Sequence, residues 1–179
     1  MQDADLFLEL AGIAGVFVGF GALIAVRSDR PTDPIVVSPM RAVVSMGMMT
    51  VMAAIAPVAL ARYDLSEHQV WALSSALFLV GWLVTVVSLA GTREYRAAWA
   101  SELGDIRAEP RALRWWRAGQ GVFWAVWQIA VFLVPIVIVL GLAPEREAAL
   151  YFTDVVVILL GAGLTLIQLV FAPRRPATA

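Results

Sequence analysis

Residues 118–144 read AGQGVFWAVWQIAVFLVPIVIVLGLAP and contain no Asp, Glu, Lys or Arg. An α-helix rises 1.5 Å per residue, so about 20 apolar residues cross the roughly 30 Å hydrocarbon core of a bilayer. This stretch is therefore long enough for one transmembrane helix. Four further uncharged stretches of comparable length lie at residues 10–26, 42–61, 69–92 and 155–173.

The composition of the whole chain agrees with membrane insertion. Of its 179 residues, 61% are hydrophobic and 15% are charged, whereas soluble domains average about 45–50% and about 25%. Transmembrane β-strands would be alternating segments of about ten residues, and these stretches are continuous and longer. We therefore predict an all-α integral membrane protein, a single domain over residues 1–179, with five transmembrane helices at about 6–26, 42–61, 70–91, 120–142 and 150–171.

Arginine placement predicts the orientation. Eleven arginines fall on the side of the predicted loop 92–119 and the C-terminal tail, and only Arg62 and Arg146 fall on the other side. Because cytoplasmic loops carry the excess of basic residues, we expect an extracytoplasmic N-terminus and a cytoplasmic C-terminus, with a short disordered tail at 173–179. The absence of lysine and the abundance of Ala, Gly, Val and Pro suggest a GC-rich gene and a bacterial inner membrane.

The residue inventory excludes several function classes. The chain has no cysteine, no lysine and one histidine, His68, so thiolate metal sites, Schiff-base chemistry and multi-histidine metal sites cannot form from this chain alone. The net charge of −1 gives no reason to expect nucleic acid. We expect no enzymatic activity and no cofactor. We place His68 in a short outer loop as a solvated residue, with a role as a pH sensor or ligand as the alternative.

An internal repeat relates helices two and three to helices four and five. One constant offset along the chain aligns Thr50 with Gln128 and Pro57 with Pro135. Both hairpins run in the same direction, so the match predicts a parallel two-hairpin repeat with helix one added; chance is the alternative, because small residues are abundant. A slightly larger offset aligns Ser74, Gly81, Thr85 and Ser88 with Asp154, Gly161, Thr165 and Gln168.

The residues aligned by the larger offset form one stripe on helix three and one on helix five, at 100° per residue. Polar groups avoid lipid, so we expect the stripes to face each other in a seam that either holds an ion or only joins helices by hydrogen bonds. If Asp154 is structural, it pairs with Arg62 or Arg146. The candidate seam or ion site comprises Glu9, Ser74, Thr85, Ser88, Asp154, Thr165 and Gln168.

Small residues predict close helix packing. Gly81 and Gly161 would let the seam helices approach each other, and helix one carries a narrow row of small residues, which we call the small face. We expect the small face to pack within the bundle, with a contact between subunits as the alternative. The small face consists of Ala11, Gly15, Gly19 and Ala22.

Two further patterns suggest ligands. Arg111, Arg114 and Arg117 share one helical face before helix four, where they either bind anionic lipid headgroups or only set topology and snorkel. Met48 and Met52 form a Met-x-x-x-Met pair, a weak Cu(I) candidate that is also an ordinary apolar filler.

The sequence therefore predicts a small non-enzymatic bacterial membrane protein that acts through packing with itself or with a membrane partner. The first alternative is a small channel or ion-coupled transporter that uses the seam between helices three and five. Copper handling through the methionine pair is a distant alternative.

Overall fold

The computed structural model describes residues 4–27, 34–92, 96 and 111–171. Within those residues the chain is helical, with short turns and no strands. A 3-10 turn at Pro144–Arg146 precedes the last helix. The five long helices are α1 (Ala4–Arg27), α2 (Pro34–Leu60), α3 (Glu67–Gly91), α4 (Arg111–Val139) and α5 (Glu147–Phe171).

All five helices contain a segment long and apolar enough to cross a membrane, with mean hydropathy between 2.0 and 2.5. The prediction of an all-α chain with five helices able to span a membrane is thus confirmed. Of the predicted loop 92–119, residues 111–119 belong to α4. The predicted tail at 173–179 lies outside the described residues, as do positions 93–95 and 97–110.

Local hydrogen bonds set the start of α3 at Glu67, ahead of its predicted boundary at residue 70. The Ser66 amide donates to Gln69 Oε1 at 2.9 Å, and the Gln69 amide donates to Ser66 Oγ at 3.3 Å. This reciprocal capping box satisfies amides that the first helical turn leaves unpaired. His68 therefore lies in the first turn of α3, and its predicted place in a loop is wrong.

The end of α4 is set by Gly141, which has a φ of +63°. The amide of Leu142 donates to the Val137 carbonyl at 3.1 Å, and the Gly141 amide donates to the Ile138 carbonyl at 2.9 Å. These two bonds form a Schellman motif, in which glycine is favoured because a Cβ strains the left-handed conformation. The helix therefore ends at Val139, before the predicted boundary at 142.

The packing order gives α2 a central position. It contacts α1, α3 and α5, while α4 contacts α3 and α5, so helices α2 to α5 close a ring and α1 lies against its outside. Residues 61–66 and 140–146 connect the helices at one end of this bundle. We call it the short-loop end.

Aromatic side chains fill the core in two groups. At the short-loop end, the rings of Phe7, Trp71 and Tyr151 lie with centroids 5.6 to 6.1 Å apart. Deeper in the bundle, Trp82 stacks on Phe78 at 6.2 Å and meets Trp127 edge-on at 5.7 Å. These separations are typical of favourable aromatic pairs.

Helix α1 contacts α2 through a side other than its small face. A Cβ added at Gly21 would lie 3.1 Å from Val44, and one at Gly47 of α2 would lie 2.6 Å from Val18. Gly15 and Gly19 are exposed, and a Cβ at either would meet no described atom within 4 Å. Of the small face, Ala11 packs against the core, whereas Gly15 and Gly19 meet no described neighbour inside the bundle.

Candidate functional site

A row of polar side chains runs inward from the short-loop end along one face of α5. Glu147, Tyr151 and Asp154 are spaced i, i+4 and i+7, which places them on the same side of a helix. All three are buried, and Asp154 is 4% exposed. The row therefore brings two acidic groups and a phenol into the interior of the bundle.

The outer member of the row pairs with the single histidine of the chain. His68 Nδ1 lies 2.7 Å from Glu147 Oε1. The histidine side chain is 49% exposed, whereas the glutamate side chain is 3% exposed. His68 thus has a partner, contrary to the expectation of a solvated loop residue, and the pair connects solvent at the short-loop end with the buried row.

The middle member satisfies a backbone group that a proline leaves without its helical donor. Pro57 has no N–H, so the carbonyl of Ala53 lacks the usual i+4 hydrogen bond. The Tyr151 hydroxyl donates to that carbonyl at 2.7 Å. This bond ties α5 to α2 inside a membrane-spanning region, where an unsatisfied carbonyl is costly.

The inner member, Asp154, has no hydrogen bond and no ion pair within the part of the chain that the structure describes. Arg62 and Arg146 are both exposed and form no salt bridge with it, so the predicted structural pairing is wrong. Glu9 is exposed on α1 and makes no described interaction with Asp154. A buried carboxyl without a basic partner must be neutral or must be stabilised by polar neighbours.

Polar neighbours come from α3. The hydroxyl groups of Ser74 and Ser75 are fully buried and have no hydrogen-bond partner among the described residues. Ser74 and Asp154 both lie beside the Tyr151 hydroxyl, with which they interact electrostatically. Ser74 of α3 and Asp154 of α5 thus share Tyr151 as a neighbour, and the buried Ser74 hydroxyl is available to a further hydrogen-bond partner.

The predicted seam does not continue as a buried polar path. Thr85 and Thr165 are half-buried, and the Thr165 hydroxyl donates to the Gly161 carbonyl of its own helix at 2.9 Å. Ser88 and Gln168 are exposed. Between these residues and Asp154, the side chains of Phe78, Trp82, Trp127 and Ile158 belong to the hydrophobic core. One polar contact lies among them, since Trp82 Nε1 donates to Gln128 Oε1 at 3.3 Å.

Two glycines of the seam contact large side chains of the preceding helix in the chain. A Cβ at Gly81 would lie 2.8 Å from Met49 Cε, and one at Gly161 would lie 2.5 Å from Trp127 Cζ2. The missing Cβ of Gly161 lets the Trp127 indole reach α5, where Nε1 donates to the Val157 carbonyl at 3.0 Å. Both glycines therefore allow close helix packing.

The other predicted ligand residues lie away from this row. Met48 and Met52 are 49% and 58% exposed on the outside of α2. No three His, Asp or Glu side chains of the described residues lie close enough together to hold a metal ion. The backbone of Arg111, Arg114 and Arg117 forms the start of α4, and their side chains lie outside the described residues.

Sequence reasoning missed Glu147, Tyr151 and Ser75. Glu147 lies at the edge of a span, where a charged residue is expected to be solvated, and Tyr151 has the sequence position of an interfacial anchor. The i, i+4, i+7 spacing of Glu147, Tyr151 and Asp154 was the available signal, because it places a second acid on the face of Asp154.

Comparison of the chain with known protein families, with characterised proteins and with solved structures finds no match.

Proposed function

We propose that this is a small non-enzymatic protein of a bacterial inner membrane that acts by associating with a second copy of itself through the small face of α1. The supporting observation is that Gly15 and Gly19 are exposed without a described neighbour, whereas Gly21 on another side of α1 contacts α2. The part of the small face from Gly15 to Ala22 is thus available to a second molecule. The absence of cysteine and lysine supports a role without catalysis.

A second copy fits this face because helix association in lipid depends on close packing and not on the hydrophobic effect. The small face extends over about three turns, roughly 16 Å at 1.5 Å per residue. Two copies present the same groove, so a twofold contact is self-complementary. The neighbouring exposed side chains Leu8 and Val16 are apolar, so the contact buries no charge from them.

The test is to replace Gly15 or Gly19 by leucine and to measure subunit association by energy transfer in lipid vesicles. We expect each variant to weaken association at least tenfold, about 1.4 kcal/mol, because leucine keeps the two helix backbones apart. The melting temperature of the individual subunit should stay unchanged. Ala125→Leu is the matched control, because Ala125 is an exposed small residue on α4.

A wild-type protein that is monomeric at high protein-to-lipid ratios would overturn the proposal. A monomer that co-purifies with a different membrane protein, and loses it in Gly15→Leu, would assign the small face to that partner instead. Equal weakening by Ala125→Leu would show that the effect of leucine is not specific to α1.

We propose an extracytoplasmic N-terminus and a cytoplasmic C-terminus, supported by the eleven arginines on one side and the two on the other. In this orientation Arg111, Arg114 and Arg117 face the anionic headgroups of the cytoplasmic leaflet. A cysteine-accessibility or protease-protection experiment on residues 93–117 should find them inside. Their detection outside the cell membrane would reverse the topology.

We also propose that the two hairpins, α2 with α3 and α4 with α5, are structural repeats about an axis along the membrane normal. The support comes from the two glycine contacts described above. Met49 corresponds to Trp127 under the offset that aligns the two prolines, and Gly81 corresponds to Gly161 under the larger offset. The same pair of positions thus makes the same kind of contact in each hairpin.

A second candidate function is a small ion-coupled transporter or channel that uses the seam between α3 and α5. The observation that favours it is the buried carboxyl of Asp154 without a basic partner, on the row that also holds Tyr151, whose neighbour Ser74 has a buried hydroxyl without a partner among the described residues. Intramembrane acids of this kind mark ion or proton pathways in many membrane proteins.

A further inference from the structure

The charged and titratable neighbours of Asp154 are few. Tyr151 lies on its own helix, and α3 contributes only His68 and Glu67 in its first turn. The charged residue of α2 is Arg41, which is exposed, and α4 carries arginines only in its first two turns, at the end of the helix away from the short-loop end. The α1 acids Asp5 and Glu9 are exposed. Arg62 and Arg146 are exposed and unpaired with Asp154.

The chemistry around Asp154 suits a proton better than a metal ion. A single carboxylate balances one positive charge, and the described residues offer no cluster of acids or histidines for a metal. A hydroxyl group both donates and accepts, so the Ser74 hydroxyl suits an ionised carboxylate, to which it can donate, and a protonated one, from which it can accept. A proton also needs none of the six or more oxygen ligands that hard metal cations require.

Access to Asp154 comes from the short-loop end. His68 is half exposed and contacts Glu147 at 2.7 Å. One and two turns further along α5 lie Tyr151 and Asp154, about 10 Å from Glu147 at 1.5 Å per residue. A cleft at the same end reaches Trp71, whose ring lies 5.6 Å from that of Tyr151. On the far side of Asp154, Phe78 and Ile158 are core residues, and the Gln128 side chain accepts a hydrogen bond from the Trp82 indole.

We propose that Asp154 is a reversible proton-binding site reached from the short-loop end through His68, Glu147 and Tyr151. This proposal rests on the second candidate function, for which it names the proton as the ligand. It does not depend on subunit association through α1. Protonation neutralises the buried carboxyl and leaves the Tyr151 hydroxyl bonded to the Ala53 carbonyl. Deprotonation creates a charge to which Ser74 and Tyr151 are the adjacent donors.

This arrangement couples the proton to the contact between α5 and α2. A hydroxyl donates one hydrogen, so the Tyr151 hydroxyl donates either to the Ala53 carbonyl or to the Asp154 carboxylate. Release of the proton therefore competes with the bond that satisfies the backbone beside Pro57.

The test is infrared difference spectroscopy of the full chain in lipid vesicles, recorded between low and high pH. We expect a band from a protonated carboxylic acid that disappears at high pH, is lost in Asp154→Asn and is kept in Glu145→Gln, which removes an exposed acid of the 3-10 turn. Glu147→Gln should keep the amplitude of the band and slow its response to a pH jump at least tenfold.

Ser74→Ala keeps the proposal testable if Asp154→Asn does not fold. Removing a donor to the ionised form disfavours that form, so the midpoint of the band should move to higher pH. Absence of the band in the wild type, its persistence in Asp154→Asn, or an unmoved midpoint in Ser74→Ala would each overturn the site.

Proton flux in the same vesicles separates the site from the transport function. Flux above empty vesicles that Asp154→Asn abolishes would support both. A titrating Asp154 band without such flux would overturn the transporter and channel candidate while supporting the proton site, since the infrared signal reports binding alone.

Discussion

Gly161→Ala is expected to destabilise the folded bundle by about 2–3 kcal/mol, a large effect for one added methyl group. The new Cβ would lie 2.5 Å from Cζ2 and 2.9 Å from Cε2 of Trp127. The indole cannot easily move, because Nε1 is bonded to the Val157 carbonyl and the ring is packed edge-on against Trp82 and Trp124 at 5.7 and 5.4 Å. Either the hydrogen bond or the aromatic packing must be lost.

Two other glycines provide graded controls for this prediction. Gly163→Ala places a Cβ 3.6 Å from Phe17 Cζ, an ordinary contact, and alanine favours the helix, so this variant should be neutral or slightly stabilised. Gly81→Ala should fall between the two, because the atoms it meets belong to the flexible end of Met49. Equilibrium unfolding in mixed micelles measures all three. Equal stability of Gly161→Ala and Gly163→Ala would show that Trp127 is not seated against α5.

The spanning helices were predictable from the sequence because hydropathy and the length of a span are local properties. The helix ends were less so, since they depend on particular hydrogen bonds. The Ser66 and Gln69 capping box begins α3 at Glu67, inside a stretch that charge counting places in a loop. The Gly141 motif likewise ends α4 while the sequence is still apolar.

The candidate site was predictable only in part. The 100° spacing placed Ser74 and Asp154 on matching stripes, and the structure brings them beside the same hydroxyl. The burial of Glu147 depends on His68, which lies 79 residues away in the chain, and a single sequence does not reveal such a contact.

The sequence also did not show which side of helix α1 faces the bundle. Its periodicity grouped Gly15 with Gly19, but spacing alone does not say which side of a helix meets the bundle. Phe7, Ala14 and Gly21 form the buried side, because they fit against α2 and the aromatic group at the short-loop end.

Tyr151→Phe is expected to cost about 1–3 kcal/mol of folding stability, the penalty for leaving a buried polar group unsatisfied. The lost bond is the 2.7 Å contact from the Tyr151 hydroxyl to the Ala53 carbonyl, which has no helical donor because residue 57 is proline. Removal of the hydroxyl leaves the shape of the ring and its contacts with Phe7 and Trp71 in place. Equilibrium unfolding in mixed micelles measures the loss, with Tyr63→Phe as the matched control, since Tyr63 is 69% exposed.

The origin of that penalty can be tested by adding Pro57→Ala, which restores an amide four residues after Ala53. If the tyrosine serves mainly to satisfy the carbonyl that proline leaves unpaired, Tyr151→Phe should cost much less with Pro57→Ala than without it. The two substitutions would then show a coupling energy of about 1 kcal/mol or more, as expected for groups that share one hydrogen-bond partner. An equal cost in both backgrounds would mean that the hydroxyl stabilises the bundle through Ser74 and Asp154 instead. The Ala53 carbonyl would then not explain why a tyrosine at position 151 stabilises the bundle.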